Sequence, residues 1–150
     1  MLGNMKKVLT KYHGELPLNE LICIHFPDGI PALEQYTKYT LLPFDDSDFF
    51  ILQSLEEAEI AFLVVDIFKI ESTYDYVVPK HAIDKLLLER AEEVLTLGII
   101  TPKEPFEKST VNLYAPIIIN QSLHLGKQIF LEQSGYQVKA PLFKRQETVK

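Results

Sequence analysis

The side chains best suited to hold a metal or attack carbon are few and scattered: His13, Cys23, His25, His81 and His124. A metal centre needs two or more ligands at workable spacing. None of these residues makes such a set, so the sequence predicts no bound metal and no redox cofactor. Cys23 falls in an alternating run over residues 21–26 and reads as a small hydrophobe of a core or interface. As a nucleophile it would need a base delivered by the fold, because none lies near it in sequence. Gly126-Lys127 lacks the upstream glycine and the following Ser or Thr of a phosphate loop. No Gly-x-Ser-x-Gly elbow is present. Asp45-Asp46 and Glu56-Glu57 are paired carboxylates, but adjacent acids in turns are usually just solvated, and general acid–base work needs such groups buried. No catalytic constellation results, and no enzyme is predicted.

The charge pattern is more informative. Between Lys38 and Lys69 there are seven acids and no base: Asp45, Asp46, Asp48, Glu56, Glu57, Glu59 and Asp66. Six of them fall in two turns flanking one predicted strand, at its opposite ends. Two readings stand: solvated turns, or an acidic surface that steers a basic partner. Aromatic residues at Phe49-Phe50 and at Tyr74-Asp75-Tyr76 fall on both faces of their predicted strands. One face is core. The other is either an exposed strip that binds proteins or is covered by a helix lying across a closed barrel. The candidate partner-binding residues are therefore Asp45, Asp46, Asp48, Glu56, Glu57, Glu59, Tyr74 and Tyr76.

Positioning these groups falls to short elements. Alternating or apolar runs broken by turn residues predict strands over 8–12, 21–26, 39–44, 49–55, 60–67, 74–78, 94–101, 110–115, 117–120 and 128–132. Helical spacing of Ile83, Leu86, Leu87 and Arg90 after Pro79 predicts one helix over 80–89. Pro116 cannot donate to a ladder and marks an edge, bulge or corner. This is a mainly β chain: a compact β-barrel-like domain, or sandwich, of about eight or nine short strands and one or two short helices. Ile22, Ile24, Leu52, Phe62, Val64, Leu97, Ile99, Val111, Leu113, Ile129 and Leu131 are its expected buried side chains.

A length of 150 residues favours one domain. Residues 1–5 and about 140–150 read as tails, and Met5 is an alternative start to Met1. The formal charge of −6 and the presence of two arginines alone, Arg90 and Arg145, disfavour direct nucleic-acid binding. A single cysteine suits a reducing compartment. No stretch approaches the ~18 apolar residues of a membrane span, and residues 1–12 carry no signal-peptide core. The expected location is the cytoplasm.

Five segments, in order, resemble the FliW family of flagellar assembly factors. Phe26-Pro27-Asp28-Gly29-Ile30-Pro31-Ala32-Leu33-Glu34 resembles the family's F-x-x-G-I-P-G-F-E element. Phe50-Ile51-Leu52-Gln53-Ser54-Leu55-Glu56-Glu57 is similar to its L-Q-S strand and acidic turn. The run from Ala61 to Phe68 with Tyr74-Asp75-Tyr76 is the third. Thr110-Val111-Asn112-Leu113-Tyr114-Ala115-Pro116-Ile117-Ile118-Ile119-Asn120 resembles T-V-N-L-x-A-P-I-V-I-N. Gly126-Lys127-Gln128-Ile129, with Tyr136 beyond, is the fifth. Ala32-Leu33 replaces the family's Gly-Phe, and Ile67 replaces a common Pro. The resemblance implies a β-barrel-like fold, no enzyme activity and no cofactor. It also implies two mutually exclusive partners: flagellin, and CsrA, a dimeric RNA-binding repressor of flagellin translation. A small-molecule-binding β-barrel, with a ligand cavity for a core, is the alternative function.

Overall fold

The computed structural model describes residues 6–144. Among them run eleven strands: β1 (Lys7–Leu9), β2 (Glu15–Pro17), β3 (Ile24–His25), β4 (Lys38–Pro43), β5 (Phe49–Ser54), β6 (Ala61–Asp66), β7 (Val94–Thr101), β8 (Thr110–Val111), β9 (Ile117–Asn120), β10 (Leu125–Gln128) and β11 (Ala140–Pro141). Two short α-helices, α1 (Ile67–Ile70) and α2 (Lys80–Leu86), lie between β6 and β7. Strands β7, β6, β5, β4, β3, β10 and β9 pair in that order, and β9 pairs back onto β7, closing a seven-stranded barrel. Each pairing is antiparallel except β3 with β10. The far end of β7 carries β8, which in turn pairs β11. Strands β1 and β2 form a separate hairpin.

Period-two alternation explains which side chains enter the barrel. Phe50 and Leu52, Phe62 and Val64, Leu95 and Leu97, and Ile117 and Ile119 point inward with Phe26 and Tyr39. The intervening residues are covered from outside. Ile118 packs under Ala82 and Leu86 of α2. Val65 and Ile100 pack against Val111, Ala140 and Leu142. Strands covered on both faces read as continuous apolar runs, which is why Ile117-Ile118-Ile119 shows no polar alternation. Gly126 belongs to the interior for a steric reason. A Cβ there would lie 2.5 Å from Cζ of Phe26, so the ring fills the space a side chain would take.

The buried polar residues of the family-like segments are structural. Gln53 is fully buried. Its Nε2 donates to the carbonyls of Ser54 and Ala58 at 3.0 Å and of Ile60 at 3.3 Å, while its Oε1 accepts the Lys11 N–H at 3.0 Å. One side chain thus holds the turn after β5 and anchors the β1–β2 hairpin region. Asn112 Oδ1 accepts the N–H groups of Tyr114 (3.0 Å) and Ala115 (2.9 Å), bending the chain before Pro116. Asn120, also fully buried, donates to the Leu86 carbonyl at 2.9 Å and accepts from the Ser122 and Leu123 amides. It fastens the end of α2 to the β9–β10 turn.

Several sequence expectations change. Pairing begins at Ile24 because residues 18–20 form a 3₁₀ turn, so Ile22 is 60% exposed and Cys23 is exposed rather than a core hydrophobe. Residues 74–78 form no strand. The run over 110–115 stops at Val111, where Asn112 makes its turn. The strand expected over 128–132 lies earlier, as β10. The end of the run over 60–67 becomes α1, capped by Asp66, whose Oδ1 accepts the Phe68 N–H at 3.0 Å. Helix α2 buries Ala82 and Leu86, leaving Ile83 and Leu87 exposed. Phe62, Ile99 and Leu113 are half-buried; the other expected core residues, Ile22 apart, are buried. Ala140 and Leu142 belong to the packed structure rather than to a tail. Residues 1–5 and 145–150 lie outside the described residues.

Ala32, which stands where the family pattern has glycine, adopts φ 74°. The left-handed region costs a residue with a Cβ about 1–2 kcal/mol, against roughly 0.4–1 kcal/mol of extra unfolded-state entropy for glycine. Ala32→Gly should therefore raise stability by about 0.5–1 kcal/mol. The check is a higher urea midpoint at an unchanged slope.

Candidate functional site

The two acidic turns sit at opposite ends of β5 and differ in what their carboxylates do. In the β4–β5 turn, Ser47 Oγ donates to the Phe44 carbonyl and accepts the Phe49 N–H at 3.1 Å. These bonds shape the turn without using Asp45, Asp46 or Asp48, all exposed. Asp48 meets Lys69 at 3.9 Å in an exposed pair, a contact worth about 0–1 kcal/mol. In the β5–β6 turn, Ser54 Oγ accepts the Glu56 and Glu57 N–H groups at 3.0 Å. Glu56 Oε1 accepts the Thr37 and Lys38 N–H groups at 2.7 and 3.1 Å, tying the turn to the start of β4. Glu57 Oε2 accepts the Glu59 N–H at 3.2 Å. Glu56 and Glu57 are partly committed to the fold, while Asp45, Asp46 and Glu59 make no such contacts among the described residues.

Of the two readings the sequence allowed for Tyr74 and Tyr76, an exposed strip or a covered face, the structure has the covered one. Tyr74 is 3% exposed, and its hydroxyl donates to the Leu113 carbonyl at 2.7 Å. Its ring stacks 4.6 Å from that of Tyr136 and 5.6 Å from that of Tyr76. Burial pushes its hydroxyl well above the ordinary tyrosine range. Tyr76 is half-buried and shares a 2.6 Å hydrogen bond with Thr96. Both rings cover the outside of the barrel beside α2. Exposed apolar residues of this region include Phe68, whose ring lies 5.8 Å from that of Tyr74, and Val77, with Phe130 across a cleft from Val77. The sequence signal of Val77 and Phe130 was present in outline: Val77 alternates with buried Tyr74 and half-buried Tyr76, and Phe130 alternates with buried Ile129 and Leu131.

Cys23 shows no activation. Partial desolvation pushes its thiol upward, with Lys38 and Glu56 acting on it in opposite directions. No group of three or more His, Cys, Asp or Glu among the described residues could hold a metal ion. No described helix is long and apolar enough to cross a membrane. Asp28 is held below the ordinary carboxyl range, chiefly by its hydrogen bond from Lys127.

A closed small barrel whose buried polar side chains serve its turns, with acids displayed at both ends of one strand, defines a class of compact β-barrel proteins. The comparisons make the class specific. The family model described as FliW protein matches residues 7–142. A flagellar assembly factor FliW of Bacillus licheniformis is 40% identical over 136 residues, covering 90% of this chain and 95% of that relative. One from Clostridium botulinum is 37% identical over 141 residues, covering 93% and 99%. A crystal structure of the flagellar assembly factor FliW superposes with a TM-score of 0.90 at 32% identity, covering 95% of this chain and all of that one. The chain belongs to the FliW family of flagellar assembly factors.

Proposed function

We propose that this chain is a non-enzymatic, cytoplasmic assembly factor that binds flagellin and, alternatively, the translational repressor CsrA, so acting as a CsrA antagonist and a flagellin chaperone. Family membership across residues 7–142 is the observation that carries the reading. The filled barrel interior supports a surface-acting protein over a small-molecule carrier: Phe26, Tyr39, Leu52, Val64, Leu97 and Ile117 are wholly buried there. The acidic turns supply a face suited to a basic RNA-binding protein, because opposite potentials speed encounter. Asp45, Asp46 and Asp48 are the leading candidates, since their carboxylates are free of the turn's own hydrogen bonds. Glu57 and Glu59 follow, with Glu56 bound to the β4 backbone. Tyr74 serves the core, so Tyr74→Ala would test folding more than binding.

The test is the association rate with purified CsrA across a salt series. Asp45, Asp46 and Asp48 to Asn in one variant should slow association several-fold at low salt and leave dissociation little changed. Glu57 and Glu59 to Gln in a second variant reports on the other end of β5. A salt-independent rate for the unmodified protein, with neither variant slower, rejects the acidic interface. Flagellin capture by the same variants separates the two partners.

A further inference from the structure

The barrel is closed by one very short parallel contact, and that leaves an edge open. Strand β10 meets β3 at a single register pair, Leu125 with His25. Past it the chain turns away: the Gly29 N–H returns to the Phe26 carbonyl at 2.8 Å, and no backbone hydrogen bond joins residues 27–30 to residues 127–131 among the described residues. On its other side β10 runs on past its formal end: the Ile129 N–H reaches the Pro116 carbonyl at 3.0 Å, and the Leu131 N–H reaches the Tyr114 carbonyl at 2.9 Å. Alternate residues of an antiparallel ladder turn their backbone groups to opposite sides. The N–H and C=O groups of Gln128 and Phe130 therefore face the side that β3 has vacated.

An open cleft of about 790 Å³ lies there, walled by residues from the segments 28–34, 75–81 and 127–134, with His81 among them. Phe130 is 50% and Val77 85% exposed within it. Unpaired edges and exposed large apolar side chains are both liabilities that soluble proteins normally suppress. The charges are one-sided. Lys127 and Lys85 are spent on Asp28, at 2.8 and 3.3 Å. Glu34, Asp75 and Glu132 line the same cleft, are exposed, and form no ion pair among the described residues.

We propose that the free edge of β10 is a docking site for an extended, basic peptide segment of a partner protein. The segment adds as a strand where β3 leaves off, sets an apolar residue over Phe130 and Val77, and turns lysine or arginine toward Glu34, Asp75 and Glu132. Strand addition takes its affinity from main-chain hydrogen bonds and its selectivity from alternate side chains. A helix would satisfy its own backbone groups and leave those of Gln128 and Phe130 unpaired. The site is separate from the acidic turns and does not depend on the partners proposed above.

The test uses the full chain and a labelled seven-residue peptide of alternating lysine and valine. Saturable binding is expected, with the Phe130 amide exchanging fast in the free protein and slowing in the complex. The same peptide with glutamate for lysine should not bind. N-methylation along one edge of the peptide should abolish binding, and along the other edge leave it intact. Phe130→Ser, and separately Asp75→Asn with Glu132→Gln, should each weaken binding at least tenfold. Glu104→Gln with Glu107→Gln, on a distant loop, should not. Equal binding of both N-methylated series, or of the glutamate peptide, overturns the proposal. So does self-association of the free protein that protects Phe130, which would give the edge to a second copy. If Phe130→Ser fails to fold, the methylated peptides against the unmodified protein still decide.

Discussion

Asn120→Ala is expected to destabilise the protein by about 2–4 kcal/mol, among the largest effects of any polar substitution in the chain. The asparagine is fully buried and serves three backbone groups from two elements. Alanine leaves the Leu86 carbonyl without its donor and the Ser122 and Leu123 amides without their acceptor. Each buried group left unpaired costs roughly 1–3 kcal/mol, moderated here because Ser122 and Leu123 are exposed enough to recruit water. The consequence should be local as well as global. Amide exchange at Ser122 and Leu123 should accelerate, and the end of α2 should fray from the barrel. Gln121→Ala is the control, since that exposed residue gives its backbone N–H to the Glu93 carbonyl while its side chain makes no hydrogen bond among the described residues; it should stay within about 0.5 kcal/mol of the parent. Urea unfolding of both variants checks the difference, and equal midpoints would mean that Asn120 is not the fastener described.

Gly126→Ala should be nearly as costly, by a different mechanism. One methyl group would enter the van der Waals space of the Phe26 ring, whose Cζ lies 2.5 Å from the Cβ position. Phe26 cannot retreat freely, because its ring packs edge-on to Tyr39 at 5.0 Å inside the barrel. Overpacking of this kind costs about 1–3 kcal/mol. The test is a double-mutant cycle with Phe26→Leu. The smaller side chain alone should destabilise by creating space, and the pair should be less harmful than the sum by about 1 kcal/mol or more. Strict additivity would show that the ring and the glycine do not share that space.

The architecture was legible where one force dominates. Strands β4, β5, β6 and β7 are apolar-rich runs of six to eight residues and lie within a residue or so of the expected spans. Reading failed where a side chain overrides periodicity. Residues 110–115 look like one strand until Asn112 takes the Tyr114 and Ala115 amides. Residues 74–78 alternate like a strand, yet their tyrosines pack outward-facing barrel residues and no neighbouring strand pairs them. Ile22 alternates with Ile24 and Phe26, but the chain has not yet joined the sheet at that point. The acidic turns were visible from charge alone. What charge could not separate was Glu56, whose carboxylate is used by the β4 backbone, from Asp45 and Asp46. The cleft beside β10 was invisible for a plainer reason: its walls come from three segments up to about a hundred residues apart, and no local pattern records an edge left unpaired among the described residues.

The parallel contact between β3 and β10 also sets an order of events during synthesis. The meander from β4 to β7 needs just short connections, apart from the excursion through α1 and α2, and can form from neighbouring pieces of chain. Closing the barrel means bringing His25 to Leu125, across most of the sequence, and such long-range contacts form late because the chain entropy of the loop must be lost first. Until the residues of β9 and β10 have left the ribosome, the inward faces of Leu52, Val64 and Leu97 have no far wall to pack against. A nascent chain stalled before residue 125 therefore presents a half-open sheet with its greasy side uncovered, and it is this species, rather than the finished barrel, that most needs protection from its neighbours.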